Sequence, residues 1–227
     1  MTTLAADVLS LRVGRPAALP WRGRDVRSAF VKAPVDGRVP AGPLGLAGDE
    51  QADLRVHGGP DKAICCYASE HLAGWNQRFG LELGPGAFGE NLTLAGMTED
   101  VVHIGDVVTV GTVTAQVSQP RGPCFKVAAR WGRRELVAAM ARELRAGFYL
   151  RVLEPGEIAA GDRLELVERV SEISVAEVLR VTYRDRHDPA ALQAVLDVPE
   201  LAAVWREDLE TLRDRRQLPL ADPLGDA

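Results

Sequence analysis

The strongest chemical signal lies in Gln119-Pro120-Arg121-Gly122-Pro123-Cys124-Phe125-Lys126. Pro120 and Pro123 restrict the backbone ahead of Cys124, so the thiol is held at low entropic cost. Arg121 and Lys126 flank it, and the stretch from Gln119 to Arg134 holds five basic residues and no acidic one. Positive surroundings lower a thiol's pKa and favour the thiolate at neutral pH. Such a thiolate can act as a nucleophile, carry a persulfide or ligate a soft metal. The plain alternative is a buried cysteine at a strand end, since free cysteine is among the most buried residue types. The charge setting favours chemistry.

Two weaker motifs precede it. In His57-Gly58-Gly59-Pro60-Asp61-Lys62, two glycines let the backbone approach a ligand, while His57 and Lys62 offer donors to an anion. The same residues could form a tight turn, and the pattern is neither a Walker loop nor a dinucleotide fingerprint. In Phe88-Gly89-Glu90-Asn91-Leu92, Glu90 and Asn91 could read a polar ligand edge or simply satisfy a turn. Lys62, Arg121 and Lys126 together suit a phosphate-sized anion. Cys65 and Cys66 are adjacent in an apolar strand, so they point to opposite faces and cannot chelate one ion together; both read as small buried hydrophobes. His71 reads as a surface residue of a helix, His103 as structural, and His187 as the residue before a helix cap. No nucleophilic triad is visible, and there is no GxSxG.

These residues need a scaffold. The segment 1–168 is rich in Val, Gly and Pro, with short apolar runs. Leu4–Val13 and Lys62–Tyr67 read as strands, and the Pro/Gly-rich stretch Ala33–Asp49 as mostly loop. Ser69 suits a helix N-cap, with Leu72, Trp75 and Phe79 at helical spacing and Gly80 as the stop. Asn91–Leu94, Val101–Ile104, Val107–Val110 and Val113–Val117 are β-branched runs broken by Gly105-Asp106 and Gly111, the pattern of a β-meander or barrel. Leu136, Val137, Met140 and Leu144 share a helix face that Gly147 closes, and Phe148–Leu153 and Arg163–Val167 are strands again. The segment 169–227 changes texture. Ser174 and Glu177 form a capping box, Asp188-Pro189 opens a second helix, and Pro199 opens a third, with Leu201, Val204, Trp205, Leu209 and Leu212 facing inward. Three short helices sit near the lower size limit for folding alone, so they dock on the β domain.

Composition bounds the function. A chain of 227 residues with 46% apolar and 26% charged residues can bury a core without disulfides or a structural metal. An odd cysteine count with no CxxC pair argues against a disulfide framework and a zinc ribbon. The net charge of −5 leaves no field for nucleic acid. The start MTTLAADVLSLRV lacks the features of a signal peptide, and no run reaches the ~18 apolar residues of a membrane span. The expected setting is the cytoplasm. Arg outnumbers Lys by 24 to three, and Asn occurs only at 76 and 91. Codon bias explains the excess, and under it a surviving Lys or Asn hints at a local need.

Together the motifs resemble a MOSC domain, named for the C-terminal domain of molybdenum cofactor sulfurases. The resemblance is carried by His57–Lys62, Phe88–Leu92, Gly105-Asp106 and above all Ser118–Lys126. Gly147-Phe148-Tyr149-Leu150-Arg151 with Glu154-Pro155-Gly156 and Gly161-Asp162 extend it. The tail resembles the three-helix domain of the stand-alone bacterial YiiM-like branch. The resemblance implies a mainly β fold with helices, a MOSC-type β-barrel over 1–168 followed by a small C-terminal three-helix domain over 169–227.

It also implies a molybdenum cofactor whose pterin dithiolene supplies two sulfurs and Cys124 the third. It further implies reduction of N-hydroxylated compounds such as amidoximes and hydroxylaminopurines, a detoxifying role. By carry-over, Cys124 is the metal ligand and a catalytic residue. Arg121, Lys126, Lys62 and His57, with the amides of Gly58 and Gly59, hold the pterin and its phosphate. Asn91 and Glu90 line the pocket, Glu90 relaying a proton to the departing oxygen. The chain carries no ferredoxin cysteines after Cys124, so electrons come from a separate flavoprotein or ferredoxin-type reductase. It has no aminotransferase-like domain, so neither pyridoxal phosphate nor an iron–sulfur cluster is expected. Two other readings remain: a sulfur carrier with a persulfide on Cys124 for cofactor delivery, and a non-catalytic cofactor binder.

Overall fold

The computed structural model describes residues 4–54, 56–186 and 188–215. The chain starts with β1 (Ala5–Val13), then the hairpin of β2 (Ala17–Trp21) and β3 (Arg24–Ser28). Three short strands cross the Pro/Gly-rich stretch: β4 (Ala33–Pro34), β5 (Val39–Gly42) and β6 (Gly45–Leu46). A 3-10 turn at Pro60–Lys62 leads into β7 (Ile64–Ala68), α1 (Glu70–Phe79) and β8 (Leu92–Ala95). Next come β9 (Val107–Val110), β10 (Val113–Pro120), α2 (Phe125–Trp131) and α3 (Arg134–Glu143). The β part ends with β11 (Phe148–Glu154), β12 (Gly156–Ile158) and β13 (Arg163–Glu168). Helices α4 (Val175–Tyr183), α5 (Pro189–Leu196) and α6 (Ala203–Arg215) follow.

Seven strands form a closed barrel in the order β13-β9-β10-β11-β7-β8-β1, with β1 pairing back onto β13. Closure leaves these strands no free edge. Neighbours are antiparallel except β7 and β8. A parallel pair needs a crossover, and α1 with its following loop provides it. Alternation fills the interior: Val108, Val110, Val113, Ala115 and Val117 are all buried. Gly147 turns the chain into β11 at φ +87°, where an added β-carbon would lie 2.3 Å from the Cys66 carbonyl oxygen. Only glycine meets both demands.

The helical tail is fastened to the barrel. Ser174 accepts a hydrogen bond from the Glu177 amide at 3.1 Å, and Asp188 accepts from the Ala190 and Ala191 amides. The Ala202 amide donates to the Ser118 carbonyl on β10 at 2.9 Å. Val178, Leu179, Val195 and Leu209 join the same core as the barrel residues. Among the described residues, no helix is long and apolar enough to cross a membrane.

Several local expectations are corrected. Val101–Ile104 is a turn carrying one isolated bridge, His103 to Ser174, because its amides bond to the Thr98 carbonyl, to Asp106 and to the Ile173 carbonyl before α4 rather than to a ladder. The helix of Leu136 and Met140 is closed by Leu144 in the left-handed region, since Gly147 is committed to the next strand. The last helix starts at Ala203, four residues after Pro199, and Val204 is exposed. His71 is buried rather than on the surface, with Nε2 2.6 Å from Glu99 Oε2. Glu99 Oε1 in turn accepts from the Gly147 amide at 2.7 Å. His187 lies outside the described residues.

Candidate functional site

The barrel and the tail enclose a cavity of about 770 Å³, within the range of small-molecule and cofactor sites. Its floor is one cross-strand row: Gln119 on β10 faces Tyr149 on β11, and Tyr149 faces Cys65 on β7. All three line the cavity, as the two-residue period requires of partners on one face. The ladder ends at Pro120, and Arg121-Gly122-Pro123 carries the chain to Cys124 at the N-cap position of α2. The Cys124 side chain is partly exposed to the cavity and caps nothing.

Of the residues singled out from sequence, His57, Gly58, Lys62, Asn91, Arg121, Cys124 and Lys126 meet in this wall. Gly59 and Glu90 are not part of it. Glu90 is fully buried beneath the Phe88 turn. Its Oε1 accepts from the Gly86 amide at 2.6 Å and Thr93 Oγ1 at 2.8 Å, and its Oε2 from the Phe88 amide at 3.0 Å. This carboxylate satisfies a loop and does not line the cavity, so the proton-relay role is withdrawn. A Glu90→Gln variant should lose about 1–3 kcal/mol in urea unfolding, because its amide presents N–H to groups that are themselves donors. An unchanged unfolding midpoint would show that the carboxylate does not hold the turn.

Two other assignments change in kind. Arg121 is buried, with Nη2 donating to the Phe88 carbonyl at 2.6 Å and Nη1 to the Ala146 carbonyl at 3.3 Å. It braces the wall and lends positive potential. Asn91 Oδ1 accepts from the Cys65 amide at 3.0 Å, and Nδ2 donates to the Arg12 carbonyl and Asp49 Oδ2. It positions the floor strand. Sequence reasoning missed Cys65 and Tyr149 as cavity residues. Burial pushes the Cys65 thiol up to about 11. It also missed the buried Lys32–Asp49 ion pair in the same wall and the whole contribution of α4 and α6. Alternation identified Cys65 and Cys66 as facing opposite ways; only the strand register decides which one faces in.

The cavity is electropositive at the cysteine end. Burial, and then Lys126, Lys62 and Arg121, lower His57 from 6.5 to about 4, against the pull of Asp53. Burial also lowers Lys62 and Lys126. Lys62 Nζ donates to the Val56 carbonyl at 2.9 Å, while Lys126 has no hydrogen-bond partner among the described residues. Crowded, desolvated cations of this kind are relieved by an anion. The pH consequence has a definite sign. The folded protein keeps His57 neutral down to about pH 4, whereas the unfolded chain protonates near 6.5. Stability present above pH 6.5 is therefore lost as pH falls towards 4. Thermal melts between pH 7.5 and 4.5 should drop further for the wild type than for His57→Gln; parallel curves would sink this assignment.

Residues 53–165 match the MOSC domain model, and residues 173–216 match that of the YiiM-like 3-alpha helix domain. The chain is 41% identical to the uncharacterized protein YflK of Bacillus subtilis, covering 92% of this chain and 95% of that one. It is 37% identical to protein YiiM of Escherichia coli, covering 82% of this chain and 84% of that one. It is 33% identical to a Gibberella moniliformis protein named reductase, over 95% of this chain but 35% of that longer one. The crystal structure of YiiM from Geobacillus stearothermophilus superposes with a TM-score of 0.79 at 39% identity, covering 92% of this chain and 99% of that one. With a closed barrel, a cysteine loop in the cavity wall and a three-helix tail whose α4 and α6 complete that wall, the chain belongs to the MOSC-domain family in its YiiM-like form.

Proposed function

We propose that the chain is a molybdenum-cofactor oxidoreductase that reduces N-hydroxylated compounds with electrons from a separate flavoprotein or ferredoxin-type reductase. The observation that carries the reading is the meeting of one accessible thiol, Cys124, with several cations in a cavity large enough for a cofactor and a substrate. Among the described residues, no three His, Cys, Asp or Glu side chains stand together as a metal site. A lone thiolate suits a metal whose other donors arrive with its own organic ligand. A second feature favours a heterocycle. Gln119 is buried, its Nε2 donates to the Pro120 carbonyl at 3.3 Å, and its Oε1 has no partner among the described residues. With the nitrogen committed to a carbonyl, the oxygen is left as an acceptor for a ligand N–H, and an unmatched buried acceptor calls for an explanation.

When bound, the cofactor supplies two-electron oxygen-transfer chemistry. The chain's own residues do the rest. Cys124 ligates the metal, Lys126 and Lys62 hold the phosphate with the Gly58 backbone and His57 beside them, and Gln119 orients the pterin edge. Trp205 and Leu209 from α6 exclude water from the opposite wall. The membership of the family supports the cofactor, and the fungal relative's name supports the reaction class.

The test is to express the chain in a host that makes the molybdenum cofactor, measure metal content by mass spectrometry, and assay benzamidoxime reduction with a reduced donor. Near-stoichiometric molybdenum with turnover is the expected result. No molybdenum, from a host that loads a control enzyme, together with a persulfide mass on Cys124, would replace this reading with the sulfur carrier.

A further inference from the structure

We propose that Tyr183 is the residue that donates a hydrogen bond, and then a proton, to the oxygen leaving an N-hydroxylated substrate. The inference rests on the oxidoreductase reading above. With Glu90 sealed under its turn, the proton must come from another group in the cavity wall.

Most candidate donors there are committed. Tyr149 belongs to the floor row, between Gln119 and Cys65. Thr182 Oγ1 donates to the Val178 carbonyl at 2.7 Å, and Lys62, which also donates to the Val56 carbonyl, is assigned to the phosphate in the reading above. Asp49 is tied to Lys32, the Gly14 amide and Asn91. Lys126 is assigned to the phosphate likewise.

Tyr183 differs on each count. It ends α4 and lines the cavity. A β-carbon at Gly122 would sit 3.5 Å from its hydroxyl oxygen, so the phenol hangs over the loop two residues from Cys124. Among the described residues that hydroxyl has no hydrogen-bond partner. Burial, then the Asp208 carboxylate, raise the phenol to about 12, with Arg186 opposing. It is therefore a protonated donor across the neutral range. Asp208 is also a wall residue and is exposed, which places solvent close to the phenol.

The net reaction is R–NHOH + 2e⁻ + 2H⁺ → R–NH₂ + H₂O. The N–O bond breaks and the oxygen leaves as water. Both electrons come from the reduced donor by way of the bound cofactor. One proton passes from Tyr183 to the departing oxygen; water at the cavity mouth supplies the second and restores the phenol.

The experiment compares wild type with Tyr183→Phe, both loaded with molybdenum. The ring and its packing are kept, so metal content should be equal. Turnover of benzamidoxime should fall about 100-fold, as loss of a general acid does, and the solvent isotope effect should change. Affinity for benzamidoxime should weaken about 5-fold, the effect of one hydrogen bond, while affinity for benzamidine, which lacks the oxygen, should not move. Turnover of Tyr183→Phe within about twofold of wild type, or equal weakening towards both probes, would overturn the assignment. A wild type that neither holds molybdenum nor turns over benzamidoxime would instead overturn the reading beneath it.

Discussion

Cys124→Ser should yield a folded protein that has lost its molybdenum. Cys124 occupies the N-cap position of α2 with extended backbone angles, φ −133° and ψ 141°. Serine is a favoured residue at such positions, because its oxygen can accept from the first-turn amides, so stability should hold or rise slightly. The metal, by contrast, would lose the one ligand that the proposal assigns to the chain. Removing an outer partner of a metal ligand already costs about 10–100-fold in affinity or activity, and removing the ligand should cost at least the upper end of that range. Metal content after dialysis, beside the unfolding midpoint of the same preparation, separates the two effects. Full retention of molybdenum by Cys124→Ser would exclude the thiol as its ligand; a collapsed midpoint would mark Cys124 as a packing residue.

Asp49→Asn should be among the most destabilising single changes near the cavity. The Asp49 carboxylate accepts from Lys32 Nζ, from the Gly14 amide at 2.7 Å and from Asn91 Nδ2 at 3.0 Å. The Lys32 and Asp49 side chains are only 8% and 3% exposed, so water cannot replace a lost partner. Breaking one side of a buried pair typically costs about 3–5 kcal/mol, because the other charge stays behind. That is a large share of the ~5–15 kcal/mol by which domains are stable. Asparagine also turns an N–H towards Lys32 or Asn91, both donors. Adding Lys32→Met should recover part of the loss, and urea unfolding of the two singles and the double gives the coupling directly. A single-variant cost below about 1 kcal/mol, the value of an exposed pair, would mean that the pair is solvated after all. The effect should reach the floor of the site, since Asn91, held by Asp49, also holds the Cys65 amide.

The barrel was legible wherever structure follows a local period. The β-branched runs of β9 and β10, the Ser174 cap of α4 and the Asp188-Pro189 start of α5 all stand where pattern and cap residues put them, although the Glu177 half of the expected capping box bonds Arg180 instead. The scarcity of lysine proved informative: all three lysines, Lys32, Lys62 and Lys126, line the cavity. What escaped depends on register and long-range packing. Val101–Ile104 has strand composition, yet its amides bond elsewhere. His71 lies on the helix face that meets Glu99, and no local pattern reveals which face that is. Glu90 sits in a motif that points to a ligand, but its three bonds show that a motif can be preserved for the loop it builds. Tyr183 lies some 60 positions from Cys124 in the chain, and nothing near it in sequence announces the cysteine loop.

The cavity wall is shared between two segments that meet only when α4 and α6 are seated on β10, and this makes occupancy and docking a single thermodynamic cycle. Any ligand that touches Cys124 on one side and Tyr183 or Trp205 on the other binds the seated arrangement more tightly than an open one. By reciprocity, it clamps the helices with the same free energy that the clamped helices lend to it. A cofactor bound as proposed would act as the mortar of the interface, and substrate and cofactor would sense each other through the seating of the tail without touching.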